Sequence, residues 1–261
     1  MFYLQASRRM LTTSQISVAS SVPAAAQVQE RLAVCLAMIA GYVDAYGFRS
    51  YGTYLSFMSG NTTQTGLEIG QGNVAAAAPA LLAIMSLVIG AFTGTLLTHS
   101  ALRQIRSLLF GVVAALLALS IGVTQLDSLA NGVGIATLSL AMGVLNTTLS
   151  QVGAQSVNLT FVTGTLNKIG SHLALAIKRA PLQDGQGPWD THRRRAGLLA
   201  GIWVGFLSGA LLAVAATSLF GVWGLLLPLL TLLTLAAFTR AQSANTPNHR
   251  THIEGEPSCP S

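Results

Sequence analysis

Asp44 stands inside an apolar run, Leu32 to Phe48, where a carboxylate is out of place unless it binds a proton or cation or accepts hydrogen bonds. At the centre of a membrane-spanning helix an acid costs about 2.5 to 3.5 kcal/mol, while each strongly apolar residue returns only about 0.3 to 0.6. Two uses stay open: a site for a coupling proton or cation, or a kink held by backbone or Ser/Thr hydrogen bonds. About a dozen residues on, Leu55 to Gly70 carries Ser56, Ser59, Asn61, Thr62, Thr63, Gln64 and Thr65; a second polar segment, Leu159 to His172, carries Thr160, Thr163, Thr165, Asn167 and Lys168. Hydroxyls, amides and glycine-exposed backbone are the groups that hold a small uncharged polar solute. Glu68 lies in the first segment, and Lys168 and His172 lie four apart on one helical face of the second. Together with Asp44 they would form a proton relay; otherwise they are interfacial groups reaching water.

These groups must be positioned by helices in a bilayer. The 261 residues include only 14 basic and 8 acidic side chains, 8% of the chain, and the mean hydropathy is +0.58. That is about a third of the charge a soluble surface uses, so a water-soluble domain is excluded. From Ser50 to Leu102 the only charge is Glu68, from Ser107 to Asn167 it is Asp127, and from Ala196 to Thr239 there is none. A span needs about 20 mostly apolar residues, which predicts an all-α polytopic protein of about six transmembrane helices: Leu32 to Phe48, Val74 to Leu97, Leu108 to Leu126, Ala130 to Ser150, Ala196 to Leu219 and Gly221 to Thr239. Residues 1–31 read as a disordered lead without the apolar core of a secretory signal, 32–239 as the membrane domain, and 240–261 as a disordered tail. Cys35 and Cys259 form neither a disulfide framework nor a metal site.

With the N-terminus inside, Arg8, Arg9, Arg31, Arg103, Arg106, Lys178, Arg179, Arg193, Arg194, Arg195, Arg240 and Arg250 fall on the cytoplasmic side and Asp127 outside; Arg49 alone breaks the pattern. The basic excess therefore reads as topology in an inner or plasma membrane with both termini cytoplasmic, and not as a nucleic-acid surface.

The first half recurs in the second. Gly41, Tyr42, Val43, Asp44 match Gly143, Val144, Leu145, Asn146; Phe57 to Asn61 match Phe161 to Thr165; Gly66 matches Gly170; Val88, Ile89, Gly90 with Gly94 match Trp203, Val204, Gly205 with Gly209. With repeat 1 about 32–126 and repeat 2 about 130–239, three spans per repeat make the second copy enter from the opposite side, an inverted repeat. In that architecture the solute site lies between the halves, at short glycine-interrupted segments, and non-helical backbone is tolerated there only beside protein or water. Each polar segment is expected to be re-entrant or broken, with surface loops carrying short amphipathic helices as the alternative.

Gly41-Tyr-Val-Asp-Ala-Tyr-Gly-Phe48, with Ser56-Phe-Met-Ser-Gly-Asn-Thr62 and Val162-Thr-Gly-Thr-Leu-Asn167, resembles the YoaK-like membrane protein family, domain of unknown function 1275, over roughly Leu32 to Thr239. The resemblance implies an integral membrane protein of about six helices, and carries neither a substrate nor functional residues.

The expected binding groups are Asp44, Ser59, Gly60 and Asn61 facing Asn146, Thr163, Gly164 and Thr165, in a secondary transporter or permease for a small polar solute, proton-coupled through Asp44. Gly197, Gly201, Gly205 and Gly209 at four-residue spacing, with Gly90 and Gly94, mark helix-packing faces within the bundle or between copies in a homo-oligomer. A membrane scaffold or assembly subunit packing through those faces is the alternative function. Enzyme chemistry is not expected: no Gly-x-Ser-Gly, second Gly-x-Gly-Asp, P-loop, zinc spacing or dinucleotide fingerprint is present. No cofactor or metal is implied, and the expected partners are the lipid bilayer and the solute.

Overall fold

A computed structural model of the chain describes residues 22–100, 104–124, 130–148, 151–152, 155–156 and 160–244. The expectations for Arg8, Arg9, Arg103, Asp127, Ser150, Leu159, Arg250 and Cys259 fall outside those residues. The described helices are α1 Ala24–Tyr51, α2 Met58–Gly70, α3 Val74–Thr98, α4 Ile105–Val123, α5 Ala130–Thr147, α6 Val162–Ile177, α7 His192–Phe220 and α8 Leu226–Ala244. A 3-10 turn, Gly221–Leu225, joins α7 to α8. A hairpin of two-residue strands, β1 Gln151–Val152 and β2 Gln155–Ser156, is the one described departure from an all-helical fold.

The lead expected over residues 1–31 is helical from Ala24. Pro23 precedes the first turn, and Ala24 to Arg31 is rich in strong helix formers, so α1 extends beyond its apolar stretch. By length and composition, four stretches among the described residues can cross a membrane: Ala24–Tyr51, Val74–Thr98, Ile105–Val123 and His192–Gln242. The difference from six has two sources. The last stretch contains two helices joined through Gly221, and α5 carries Asn131 and Asn146 near its ends. Large apolar side chains face outward on these helices, among them Phe92 and Leu96 on α3, Leu211 on α7 and Leu230 on α8. In water such a surface would aggregate; against lipid it is solvated. The chain is a helical membrane protein.

Helix directions follow from side-chain neighbours. Glu30 bonds Arg194 and Arg49 bonds Ser218, so α1 and α7 run parallel along their length. Gly90 lies on Leu140 and Gly94 on Thr147, so α3 and α5 are also parallel. The Tyr42 hydroxyl donates to the Gly224 carbonyl at 2.7 Å, while Leu235 and Phe238 lie beside Val28 and Arg31; α8 therefore runs back against α1. The Ser107 hydroxyl donates to the Ala236 carbonyl at 2.8 Å, which sets α4 antiparallel to α8. Tyr51, at the end of α1, reaches Gly134 in the first turns of α5. One end of the bundle thus gathers Arg31, Arg106, Arg194 and Arg195, and the other holds the ends of α1 and α7.

The two most extensive helix contacts cross between the halves of the chain, α1 with α7 and α3 with α5. Glycines make both possible. A methyl group on Gly41 would run into the Phe206 carbonyl and one on Gly209 into the Met38 carbonyl; in the other pair, Gly143 meets the backbone of Leu87 and Gly90 that of Leu140. In lipid, where apolar burial gives helices little reason to associate, such backbone-to-backbone approach supplies the van der Waals contact that does.

Candidate functional site

Asp44 is buried, 5% exposed, in the last turns of α1. The helix ends at Gly52, which takes the left-handed conformation (φ 68°) and donates its amide to the Phe48 carbonyl. That turn sends residues 53–57 back along α1. Gly47 has no side chain where Leu55 packs, so the returning segment lies close, and one Asp44 oxygen accepts the backbone amides of Leu55 (2.9 Å) and Ser56 (2.7 Å). From the other side Asn61, fully buried in α2, holds Tyr54 through both ends of its amide: Nδ2 donates to the Tyr54 carbonyl at 2.6 Å and Oδ1 accepts its N–H at 3.2 Å. The Phe48 and Tyr54 rings stack at 4.6 Å, and Tyr54 meets Phe57 edge to face. The segment between α1 and α2 is therefore an ordered break clasped by Asp44 and Asn61.

The second half repeats the form. Phe57 and Phe161 precede their helices with nearly the same backbone, φ −86°, ψ 75° and φ −87°, ψ 71°. Met58 N–H donates to Ser56 and Val162 N–H to Thr160, both at 3.1 Å; Gly60 lies against the Phe57 ring and Gly164 against Phe161. Asn146 occupies the place of Asp44, its Nδ2 donating to the Thr160 hydroxyl at 3.1 Å. Its Oδ1 is buried without a hydrogen-bond partner among the described residues. Thr165 takes the place of Asn61 and, among the described residues, bonds back to the Phe161 carbonyl.

Ser59 and Thr163 are exposed, and Asn61 and Thr165 are buried. The most extensive contacts of α2 are with α3 and those of α6 with α7. Each set closes a local knot. Of the relay candidates, Glu68 lies ten residues along α2 from Met58, and His172 meets His192, Nδ1 to Nδ1 at 2.9 Å, with Lys168 one turn before it on α6. Arg49 donates to the Ser218 hydroxyl and not to Asp44.

Beside Asp44 a cleft of about 590 Å³ opens between α1 and α7, lined by Gly41, Asp44, Phe48, Arg49, Tyr54, Phe206, Ala210 and Val214, among others. It joins a carboxylate, an exposed guanidinium and aromatic walls. Chemically it can hold a small polar or cationic group, with the Asp44 carboxylate on its wall as an acceptor. Among the described residues no group of three or more His, Cys, Asp or Glu side chains could hold a metal.

Of the four regularly spaced glycines on α7, Gly209 and Gly205 take the close approach, the latter with its Cβ position 2.9 Å from the Val34 carbonyl. Gly201 has ordinary contact only and Gly197 faces open space. Gly90 and Gly94 of α3 are filled by α5.

A second polar cluster went unread in the sequence. Arg195, 7% exposed at the start of α7, holds Asp184 through Nη1 (2.9 and 3.0 Å) and Asp190 through Nε (3.0 Å) and Nη2 (2.8 Å). These bonds hold both carboxyls below their ordinary range. Arg194 pairs with Glu30 at 2.6 Å and lies over the Trp189 ring. The sequence carries a signal for it, two acids in the long basic loop.

No curated protein and no solved structure matches the chain. One family model does, described as a protein of unknown function, DUF1275, and it covers residues 32–238, the whole helical region from within α1 to within α8. With that coverage, and with the Asp44 and Asn146 knots inside it, the chain belongs to the DUF1275 family.

Proposed function

We propose that this protein is a secondary transporter or permease for a small polar solute, built as six membrane passes in two inverted halves, with the solute entering beside Asp44. The observation that carries the reading is the pair of matching helix breaks, one per half, each tied by a polar side chain of the preceding helix. Broken segments at corresponding places of two repeats are the usual surroundings of a transporter site. The helix directions support the inversion: α1 and α4 run one way with α7, and α3 and α5 run the other with α8. The first helix of each half is thus opposed to its counterpart.

Asp44 then has two tasks, clasping the break and offering an acceptor to the cleft. The protein contributes no reacting group, and the driving force is an ion gradient or that of the solute. The scaffold reading is weaker because the closest glycine faces are filled by the chain's own helices, which leaves Gly197 as the open member of the α7 series.

Tags at Gly72 and Gly185 test the architecture: they are expected on opposite sides of the membrane, and the same side ends the inversion. Function is tested by screening small polar solutes for thermal stabilisation of the pure protein, followed by uptake into proteoliposomes. Stabilisation by none of them, together with a stoichiometric membrane partner in mild-detergent pull-downs, would favour the scaffold.

A further inference from the structure

At the basic end of the bundle the first turns of α1, the start of α4 and the last turns of α8 enclose a groove of about 350 Å³. Its apolar lining comes from Leu32, Cys35, Leu235 and Phe238, and Arg31 and Arg106 join them from two different helices. The two arginines differ from their neighbours in one respect. Arg194 and Arg195 are committed to Glu30, Asp184 and Asp190, whereas Arg31 and Arg106 are exposed and form no ion pair among the described residues. Phe238 is 57% exposed at the same place.

Two uncommitted cations beside an apolar trough, where helices leave the hydrocarbon, fit an amphiphile with an anionic head. We propose that this groove is a binding site for an anionic phospholipid, its phosphate held between Arg31 and Arg106 and one acyl chain lying along Leu32, Leu235 and Phe238. Charge complementarity selects the head, since basic pockets between helices on this side of a membrane recruit acidic lipids. The trough selects a lipid over a soluble phosphate, which would leave the apolar wall unused. Bound there, the lipid bridges α1, α4 and α8. The site lies away from the Asp44 cleft and stands whether or not the protein transports a solute.

Full-length protein in a non-ionic detergent, titrated with dioleoyl-phosphatidylglycerol and in parallel with dioleoyl-phosphatidylcholine and inorganic phosphate, tests this by thermal stability. Phosphatidylglycerol is expected to stabilise the protein, and the other two are not. The double variant Arg31→Gln/Arg106→Gln should need about 25-fold more phosphatidylglycerol for the same shift, from about fivefold per arginine. Arg240→Gln, an exposed arginine outside the groove lining, should titrate like the wild type. Should the double variant fail to fold, Arg106→Gln alone is expected to show the fivefold change. Equal stabilisation by phosphatidylcholine, the full shift from inorganic phosphate, or an unchanged titration in the arginine variants would overturn the proposal.

Discussion

The knot around Asp44 and the knot around Asn146 share a backbone and differ in the group at the centre. The carboxylate takes two main-chain amides on one oxygen; the amide reaches one hydroxyl and leaves its own oxygen without a partner among the described residues. The first break is also gripped from α2 by Asn61 through two bonds, while Thr165, among the described residues, bonds back to the Phe161 carbonyl. The two knots thus match in backbone and differ in the side chain at the centre. A cleft lies beside the charged, doubly clasped one.

The sharpest way to break this comparison is at the glycines. Gly41→Leu and Gly143→Leu each drive a branched side chain into facing backbone, and both should cost at least the roughly 3 kcal/mol of severe overpacking. Monodisperse protein on size exclusion should be lost in both, and Gly197→Ala should behave as wild type. If one half accepts leucine, the two crossings are not equivalent.

Next in size, Asp44→Ala strands two buried amides and should destabilise by about 2 to 4 kcal/mol, against about 1 kcal/mol for Asn146→Ala, read as apparent melting temperatures in the same detergent. Equal losses would make the two knots alike. A smaller structural effect, about 1 kcal/mol, is expected of Asp44→Asn, which keeps one carbonyl oxygen toward Leu55 and Ser56. Proton-driven uptake should nevertheless disappear in that variant, and uptake at the wild-type rate would leave Asp44 a purely structural role.

The mildest effect belongs to a feature of one half only. Residues 71–73 link α2 to α3, whereas the matching link, 178–191, is long and pinned by Arg195. Asp184 and Asp190 have folded values depressed below 3.8 by that arginine, so they bind fewer protons folded than unfolded. Their stabilisation is complete above 3.8 and fades as the pH falls through the depressed values. Cleavage of the 178–191 link by an acid-active protease should rise only in that acidic range, with no matching change at 71–73.

Much of this was legible from residue types. The helices lie close to the apolar runs, with α3 starting at Val74 and α5 at Ala130 as expected, because charge exclusion marks such runs sharply. The paired polar segments and the unusual Asp44 were also visible. The partners of Asp44 were not: they are main-chain amides of Leu55 and Ser56, which carry no side-chain signature and depend on the reversal at Gly52. The packing partners of Ser59 to Asn61 and Thr163 to Thr165 were hidden for a related reason: matching sequences identify equivalent places but not the helices they pack on. Arg195 and its two acids were missed because loop charges ordinarily stay in water.

The crossed glycine contacts also set an order of assembly. The Gly41 face of α1 closes on α7, so the first of the described helices to be made waits for one of the last of them. At about 5 to 20 residues per second that delay is on the order of ten seconds, spent with a bare carbonyl-lined groove in the membrane. A chain cut after α4 never fills it. Such a fragment would be a client for membrane chaperones and proteases, and two separately expressed halves should become stable only when made together.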